Sequence, residues 1–426
     1  MKKTDPKHKK YVTILKEELV PAMGCTEPIA IAYAAAKARE ILDSQPEKVI
    51  ITVSDNIIKN VKSVVVPNTG GLKGIEAAAA AGIIAGDAAK ILEVIAEVDE
   101  KQKKAIHQFF STGNFQIKKS DSQLIFDIII HLEKDQDSAS VRISNFHTNI
   151  VHISKNEKTL YQKLRCDEAT SSDLTDRSFM RVEDIITFAD IVDLTEIEDL
   201  LQTQIDYNSA IAAQGLEGNW GANIGSVLLD TWGNDIKIRA KAMAAAGSDA
   251  RMGGCELPVV IASGSGNQGI TASVPVIEYA AHLGKDRETL LRALVVSNLI
   301  TIHQKTRIGS LSAYCGAISA GAGAGAGIAW LHGGRFEEIA HTIVNALAVV
   351  SGIICDGAKA SCAAKVAVAV DAGITGFYMF EKGQQFYGGD GIVTKGVEKT
   401  ISNVGRLGSD GMKETDKEII RIMIGE

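Results

Sequence analysis

Hydrophobic and polar positions follow two different spacings in the first part of the chain. Apolar residues three and four positions apart predict helices over 11–20 and 29–42. Short apolar runs rich in valine and isoleucine predict strands over 49–53 and 63–66. The chain therefore begins as a mixed α/β region.

Three further apolar runs, at 124–130, 140–143 and 150–153, are rich in β-branched residues and are separated by polar turns. Strands joined by such short turns usually pair with their neighbours in the chain. We therefore expect an antiparallel meander, and with it an antiparallel sheet, in the N-terminal region.

Alanine-rich segments with helical spacing dominate the chain after residue 180. The clearest of them cover 236–246, 290–302, 336–350 and 365–372. The polar stretch 173–181 between the two patterns is suited to a connector. The whole pattern predicts an α+β protein with a mixed α+β domain at 1–200 and a mostly helical domain at 201–426.

One uncharged stretch, 308–330, is long enough to span a bilayer. Its residues are mostly glycine, alanine and serine, and 320–327 is a strict alternation of alanine and glycine. Such a composition favours close helix contact inside a protein over contact with lipid. We expect a core helix here and no membrane span.

Composition and charge narrow the functional class. The net charge of −7 argues against a nucleic-acid-binding protein, which needs a concentrated basic surface. The basic N-terminus is not followed by an apolar secretory core, so we expect a cytoplasmic protein. Six irregularly spaced cysteines are then reduced thiols, suited to metal binding or catalysis.

Three cysteines fall late in the chain, at Cys315, Cys355 and Cys362. On one straight helix, the seven positions between the last two would separate their Cα atoms by about 10 Å, too far for one compact metal site. A turn at Gly357 would fold Cys362 back toward Cys355. Spacing alone leaves two interpretations open, a shared metal centre and three small buried side chains.

Two glycine-rich loops precede helical patterns. The loop 263–269 satisfies the pattern GxGxxG, but Asp286 and Glu288, which stand near the position of a ribose-binding acid, fall in a polar turn. We therefore expect a tight loop that opens a helix. The loop 67–74 lacks the spacing of a phosphate-binding P-loop, although its backbone amides are able to hold a carboxylate.

Cys25 directly precedes a predicted helix that has Pro28 in its first turn. Amides at a helix start favour a thiolate, which makes Cys25 a candidate base or nucleophile, and simple packing is the equal alternative. Cys166 and Cys255 are interpreted as structural or incidental thiols, and His303 as a hydrogen-bonded helix histidine. No lysine stands out as a Schiff-base residue, so pyridoxal phosphate is not expected.

Together, the segments 24–28 and 67–70, the loop 263–269 and the late cysteine trio resemble the L-cysteine desulfidase family, which is related to the iron-sulfur L-serine dehydratases. The resemblance covers nearly the whole chain in the same order. It implies a 4Fe-4S cluster held by Cys315, Cys355 and Cys362, with one iron left open as a Lewis acid for the leaving group.

The resemblance also implies that Cys25 is the base that removes the Cα proton of a small amino acid. The products are then sulfide, pyruvate and ammonia. Candidates for holding the substrate carboxylate are Thr26, Asn68, Thr69 and Gly70. In a resting state, Cys25 is alternatively the fourth cluster ligand.

Several alternatives stay open at this point. The substrate is alternatively L-serine or another small β-substituted acid, since no residue distinguishes a hydroxyl from a thiol. A cluster or zinc ion that serves sensing or structure is the non-enzymatic alternative. The chain ends without a cysteine that could cap the open iron. A homodimer is compatible with the sequence, which does not determine the oligomeric state.

Overall fold

The computed structural model describes residues 4–163, 174–309 and 311–425. Cys166 lies outside the described residues, whereas nearly all of the expected connector at 173–181 lies within them. Across these ranges the protein is α+β, as the sequence pattern predicts.

The first region mixes helices and strands. Predicted helices at 11–20 and 29–42 and the predicted strand at 49–53 are confirmed. In chain order the elements are α1 Pro6–Glu18, β1 Pro21–Met23, α2 Thr26–Leu42, β2 Lys48–Val53, α3 Asp55–Val61, α4 Ile75–Ala85, a 3-10 turn Ala88–Glu93, α5 Glu100–Thr112, β3 Asn114–Lys119, β4 Asp127–Lys134, β5 Asp137–Ser144, β6 Ile150–Lys155 and β7 Lys158–Gln162.

The predicted strand at 63–66 is wrong. Only Val65 forms a bridge, an isolated one with Lys73. The amide of Val66 donates to the carbonyl of Leu72, so this segment pairs with the return of its own loop. The pairing stays short because α3 ends at Val61 just before it and α4 begins at Ile75 just after it.

The six-stranded sheet has the order β3-β2-β4-β5-β6-β7. Strands β4 to β7 pair antiparallel with their neighbours, which confirms the predicted meander. On its other side β2 pairs in parallel with β3, a connection made through the intervening helices. Alternate residues Val49, Ile51 and Val53 are buried, and α2 packs against β4 and β5. The sheet therefore has α2 as its covering helix.

The second region is almost entirely helical, and the four predicted helices are confirmed. Its elements are α6 Val182–Ile191, a 3-10 turn Leu194–Glu196, α7 Glu198–Glu217, α8 Ile224–Trp232, α9 Ile236–Met252, β8 Pro258–Val260, α10 Gly266–His282, α11 Arg287–Ile308, α12 Gly316–Leu331, α13 Phe336–Val350, α14 Ser361–Glu381, α15 Val397–Arg406, a π-helical turn Leu407–Gly411 and α16 Lys413–Ile424.

The alanine and glycine alternation forms α12, a buried core helix. A Cβ atom at Gly321 would stand 2.2 Å from the carbonyl oxygen of Ala369, so glycine lets α12 and α14 approach closely. With 16 residues, α12 is shorter than the ~20 that a membrane span needs. Helix α14 is long and apolar enough to span, but 56% of its most apolar window is buried, as expected for a core helix.

The two regions share one continuous hydrophobic core. They are also joined by an antiparallel pair of short strands, β1 and β8, in which Pro21 faces Val260. The domain boundary near residue 200 stays a prediction, and that position lies inside α7. The β1–β8 pair sets the start of α2, and with it Cys25, against the helical region.

Candidate active site

An antiparallel bridge places Cys315 and Cys355 diagonally across two paired backbone segments. The amide of Cys315 donates to the carbonyl of Ile353 at 3.1 Å, and the amide of Cys355 donates to the carbonyl of Ala313 at 2.6 Å. Between them, Tyr314 and Ile354 form the bridge pair. The forty-residue separation in sequence is thus closed by three residues of paired backbone.

The chain turns sharply between Cys355 and Cys362, as predicted. Gly357 has a φ of +90°, and a Cβ atom there would stand 2.3 Å from the carbonyl oxygen of Lys59. Only glycine fits this position. The amide of Cys362 donates to the carbonyl of Lys359 at 2.9 Å, which sets Cys362 in the first turn of α14.

A small ion-pair cluster stabilises this turn. Both Lys359 and Lys365 contact the carboxylate of Asp356 at 2.5 Å. Burial alone would raise the pKa of Asp356, but the hydrogen bonds from the two lysines lower that pKa to about 2. Asp356 is therefore a carboxylate throughout the physiological range.

Cys25 faces the trio from the first region. It is the residue before α2 and is 1% exposed. Together with Val64 and Met252 it forms a small apolar cluster against which Cys362 packs. All four thiols line one cavity of about 760 Å³ between the two regions. The structure thus brings together the proposed base and the three proposed ligands.

Burial dominates the acidity of these thiols. It raises the pKa of Cys25 to about 12, while the nearby Arg251 guanidinium acts in the opposite direction. Burial and then the neighbouring Cys355 raise the pKa of Cys315 to about 12, and burial also raises the pKa of Cys362. The pKa of Cys25 is thus raised and not lowered as expected at a helix start, because desolvation outweighs the attraction of Arg251.

Two buried cations face the same cavity. Arg251 is 3% exposed, and its Nε donates to the carbonyl of Gly24 at 2.9 Å. Burial lowers the pKa of Lys305 to about 8, although Cys355 and Cys315 act to raise it. Positive charge is thus available beside the thiols, where thiolates would need it.

The spread of the donor atoms bears on which metal centre they suit. In the described ranges, no three His, Cys, Asp or Glu side chains lie close enough to hold a single ion. Thiolates on one zinc stand ~3.8 Å apart, because each Zn–S bond is about 2.3 Å. Thiolates on a 4Fe-4S cluster each bind a different iron and stand further apart. The three thiols line one cavity with cations beside them, and their spread is not that of a single-ion site.

Three of the four predicted carboxylate-binding residues lie in a loop whose side chains are already hydrogen-bonded to backbone carbonyls. Asn68 donates to the carbonyl of Ile95 at 2.8 Å, and the hydroxyl of Thr69 donates to the carbonyl of Val66 at 2.6 Å. Within the described part of the chain, Asn68, Thr69 and Gly70 are not in the cavity wall. Their substrate role stays a prediction.

Thr26 is engaged as well. Its hydroxyl donates to the carbonyl of Gly264 at 2.9 Å and also contacts the Glu27 carboxylate at 3.1 Å. This bond ties the start of α2 to the second glycine-rich loop, 263–269. The role of Thr26 in binding a substrate also stays a prediction. Its structural role is the hydrogen bond to Gly264.

Sequence reasoning missed Arg251 and His147. Arg251 lies near the end of the fully buried run 244–252 of α9, and a charged residue in such an alanine-rich run was the available signal. Burial lowers the pKa of His147, which lies in the turn between β5 and β6 and carries no comparable signal. His303 contacts the Glu398 carboxylate at 2.9 Å, which confirms the predicted hydrogen-bonded helix histidine.

The loop 263–269 opens α10 as expected, and its surroundings are not those of a dinucleotide site. The preceding strand β8 pairs antiparallel with β1 in a two-stranded ribbon. A dinucleotide-binding loop follows a strand of a parallel sheet. The loop nevertheless lines the thiol cavity with Ser263, Asn267 and Gln268.

A cavity lined by thiols and buried cations is typical of enzymes that act on small molecules. The family model described as serine dehydratase alpha chain matches residues 88–421. The chain belongs to this family, which makes it a dehydratase-like lyase and implies an iron-sulfur cluster. The matched range holds the late cysteine trio and begins after Cys25.

Relatives match over the whole length. A UPF0597 protein of Desulfitobacterium hafniense is 64% identical over 100% of this chain and 99% of its own. A UPF0597 protein of Lachnoclostridium phytofermentans is 52% identical over 98% of this chain and 100% of its own. One from Treponema denticola is 46% identical over 98% of both chains. The names of these relatives do not state an activity.

Proposed function

We propose that the protein is an iron-sulfur-dependent L-cysteine desulfidase, which converts L-cysteine and water to sulfide, pyruvate and ammonia. The observation that carries the proposal is the convergence of four thiols on one cavity, three from the helical region and Cys25 from the N-terminal region. The family membership supports the lyase class.

Cys315, Cys355 and Cys362 would hold a 4Fe-4S cluster. When bound, the cluster supplies a Lewis acid for the departing sulfur of the substrate. Lys305 offsets the negative charge of the thiolates from within the cavity wall. The Gly357 turn and the bridge at Tyr314 keep the three thiols on that wall without substrate.

Cys25 is the proposed base. Its backbone is held by the start of α2 and by the Thr26 contact to Gly264, so its position is determined from both regions. Arg251 is the neighbouring group that favours the thiolate over the thiol. Removal of the Cα proton and loss of sulfide give aminoacrylate, which tautomerises and hydrolyses to pyruvate and ammonia.

L-serine is the second candidate substrate, and the match to the serine dehydratase alpha chain favours it. The same base and the same cavity serve both reactions, because hydroxyl and thiol differ by one atom. Water would then leave in place of sulfide, and the remaining steps would be unchanged.

The test begins with anaerobic purification and reconstitution, followed by iron and sulfide analysis. We expect iron in the wild-type protein and none in Cys355→Ala. Cys255→Ala is the matched control, because this thiol is also buried and lies outside the described cavity wall. A wild-type protein that binds no iron would refute the proposal.

Substrate and base are tested on the same preparation. Sulfide and pyruvate release from L-cysteine, compared with pyruvate release from L-serine, ranks the two substrates. Cys25→Ala should keep its iron and lose turnover. Loss of iron in this variant would make Cys25 a cluster ligand and leave the base unassigned.

A further inference from the structure

Arg251 is a buried cation that forms no ion pair with the described residues. Its Nε donates to the carbonyl of Gly24. Glu27 lines the same cavity, but no carboxylate of the described residues forms an ion pair with Arg251. A guanidinium buried to this extent is costly unless an anion pairs with it. Because Arg251 lines the cavity, an anion that enters the cavity can supply that charge.

The loop beside Arg251 carries unsatisfied polar atoms. Among the described residues, Ser263 Oγ, Asn267 Oδ1 and Gln268 Oε1 are buried without a hydrogen-bond partner, and so is His147 Nε2. All four residues line the cavity, and Gln268 is 6% exposed. Native proteins satisfy most buried polar atoms. The two amide oxygens accept hydrogen bonds only, so they require a donor.

Close contacts place these groups together. A Cβ atom at Gly266 would stand 2.3 Å from Arg251 Nε, so the loop lies directly against the guanidinium. A Cβ atom at Gly316 would stand 2.6 Å from Gln268 Cδ, so Gln268 lies beside the residue after Cys315. Asn267 contacts the sulfur of Met252 at 3.7 Å, and Met252 packs on Cys25.

We propose that Arg251 and the loop 263–268 form the binding site for a zwitterionic α-amino acid. Arg251 binds the carboxylate, while Asn267 Oδ1 and Gln268 Oε1 accept hydrogen bonds from the α-ammonium group. The Cα atom then lies between Cys25 and Cys315. The inference rests on the proposed function for the reaction that follows, and it assigns recognition to this loop instead of 68–70.

Calorimetric titration with L-alanine tests the site without turnover, because L-alanine has both charged groups and no leaving group. We expect the anaerobically reconstituted protein to bind L-alanine more tightly than propionate, which lacks the ammonium group, and more tightly than alaninol, which lacks the carboxylate. Arg251→Gln should weaken L-alanine binding on the order of 10- to 100-fold, as for a lost hydrogen bond between charged groups.

The matched control is Arg239→Gln on the same helix α9, since Arg239 contacts Glu278 at 2.7 Å and lies outside the described cavity wall. It should leave L-alanine binding unchanged. Gln268→Leu should weaken L-alanine and leave propionate unchanged, because only L-alanine carries the ammonium group.

Unchanged L-alanine affinity in Arg251→Gln would overturn the inference. If that variant does not fold, the titrations of the wild-type protein are the test. Equal affinities for L-alanine, propionate and alaninol would then overturn the inference. Arg251-dependent L-alanine binding by a protein that holds no iron would keep this inference and refute the proposed function. If Arg251→Gln released sulfide from L-cysteine with an unchanged KM, the proposed function would stand and this inference would be refuted.

Discussion

The two glycine-rich loops look alike in sequence and differ in their hydrogen bonding. The loop 67–74 uses Asn68 and Thr69 to bond its own neighbourhood. The loop 263–269 leaves the side-chain oxygens of Asn267 and Gln268 buried and unpaired among the described residues. The polar groups of the first loop are thus engaged within the protein, whereas the second loop has acceptors that the proposed amino-acid ligand would use.

The contrast indicates where to look for a site in a chain rich in glycine. Both loops open helices, so their backbone amides do not distinguish them. The side chains do, because a polar group that already has its hydrogen-bond partners in the protein has little left to offer a substrate. Four substitutions probe this distinction, and the first should have the greatest consequence.

Gly266→Ala should break the second loop. The new Cβ atom would meet Arg251 Nε at 2.3 Å and Val259 Cγ2 at 2.7 Å, so the guanidinium has to move. Displacement of a substrate-positioning group by ~1 Å can lower kcat/KM on the order of 100-fold. Steady-state kinetics with L-cysteine measure this loss.

Gly352→Ala is the control for that substitution, because its Cβ atom meets no described atom within 4 Å and its φ is not positive. It should keep wild-type kinetics. Wild-type kcat/KM in Gly266→Ala would show that Arg251 does not position the substrate.

Asn68→Ala should lower the free energy of unfolding by about 1–3 kcal/mol, because it leaves the carbonyl groups of Ile95 and Ala96 without their donor. KM should not change, since Asn68 lies outside the described cavity wall. Denaturant titration and kinetics check the two parts. A raised KM at unchanged stability would restore the sequence-based assignment of Asn68 to the carboxylate.

Gly70→Ala should cost about 1–2 kcal/mol of unfolding free energy, because φ is +68° at this position. Its Cβ atom would also stand 3.0 Å from His107 Nε2, which contacts the carbonyl of Thr69. Gly284 has a similar φ of +62°, and a Cβ atom there would meet no described atom within 4 Å. The difference in unfolding free energy between Gly70→Ala and Gly284→Ala therefore measures the His107 contact.

His147, which lies against the second loop at Gly264, should make the protein less stable in mild acid. Burial lowers its pKa, with Arg251 acting in the same direction and Glu27 in the opposite one. As the pH falls below about 6.5, His147 binds a proton in the unfolded chain and stays neutral in the folded protein. The free energy of unfolding therefore falls. His147→Gln should therefore lose less Tm between about pH 7 and about pH 5 than wild type. Equal losses would show that other groups control the acid response.

Local structure was predictable because periodicity records which face of an element is buried. The helices from α9 to α14, the strands of the meander and the turn at Gly357 all have a local signal. The predicted strand at 63–66 is wrong because the helices on either side of its loop leave room for a single bridge, between Val65 and Lys73.

Secondary structure, the α+β division and the thiols available for chemistry all follow from the order of residues along the chain. Which polar groups meet those thiols depends on tertiary packing. The β1–β8 pair brings Cys25 across to Cys362, and helix packing buries Arg251 beside the loop 263–269. These contacts join residues that are distant in sequence, and spacing along a chain carries no record of which distant groups share a cavity or lack a partner there.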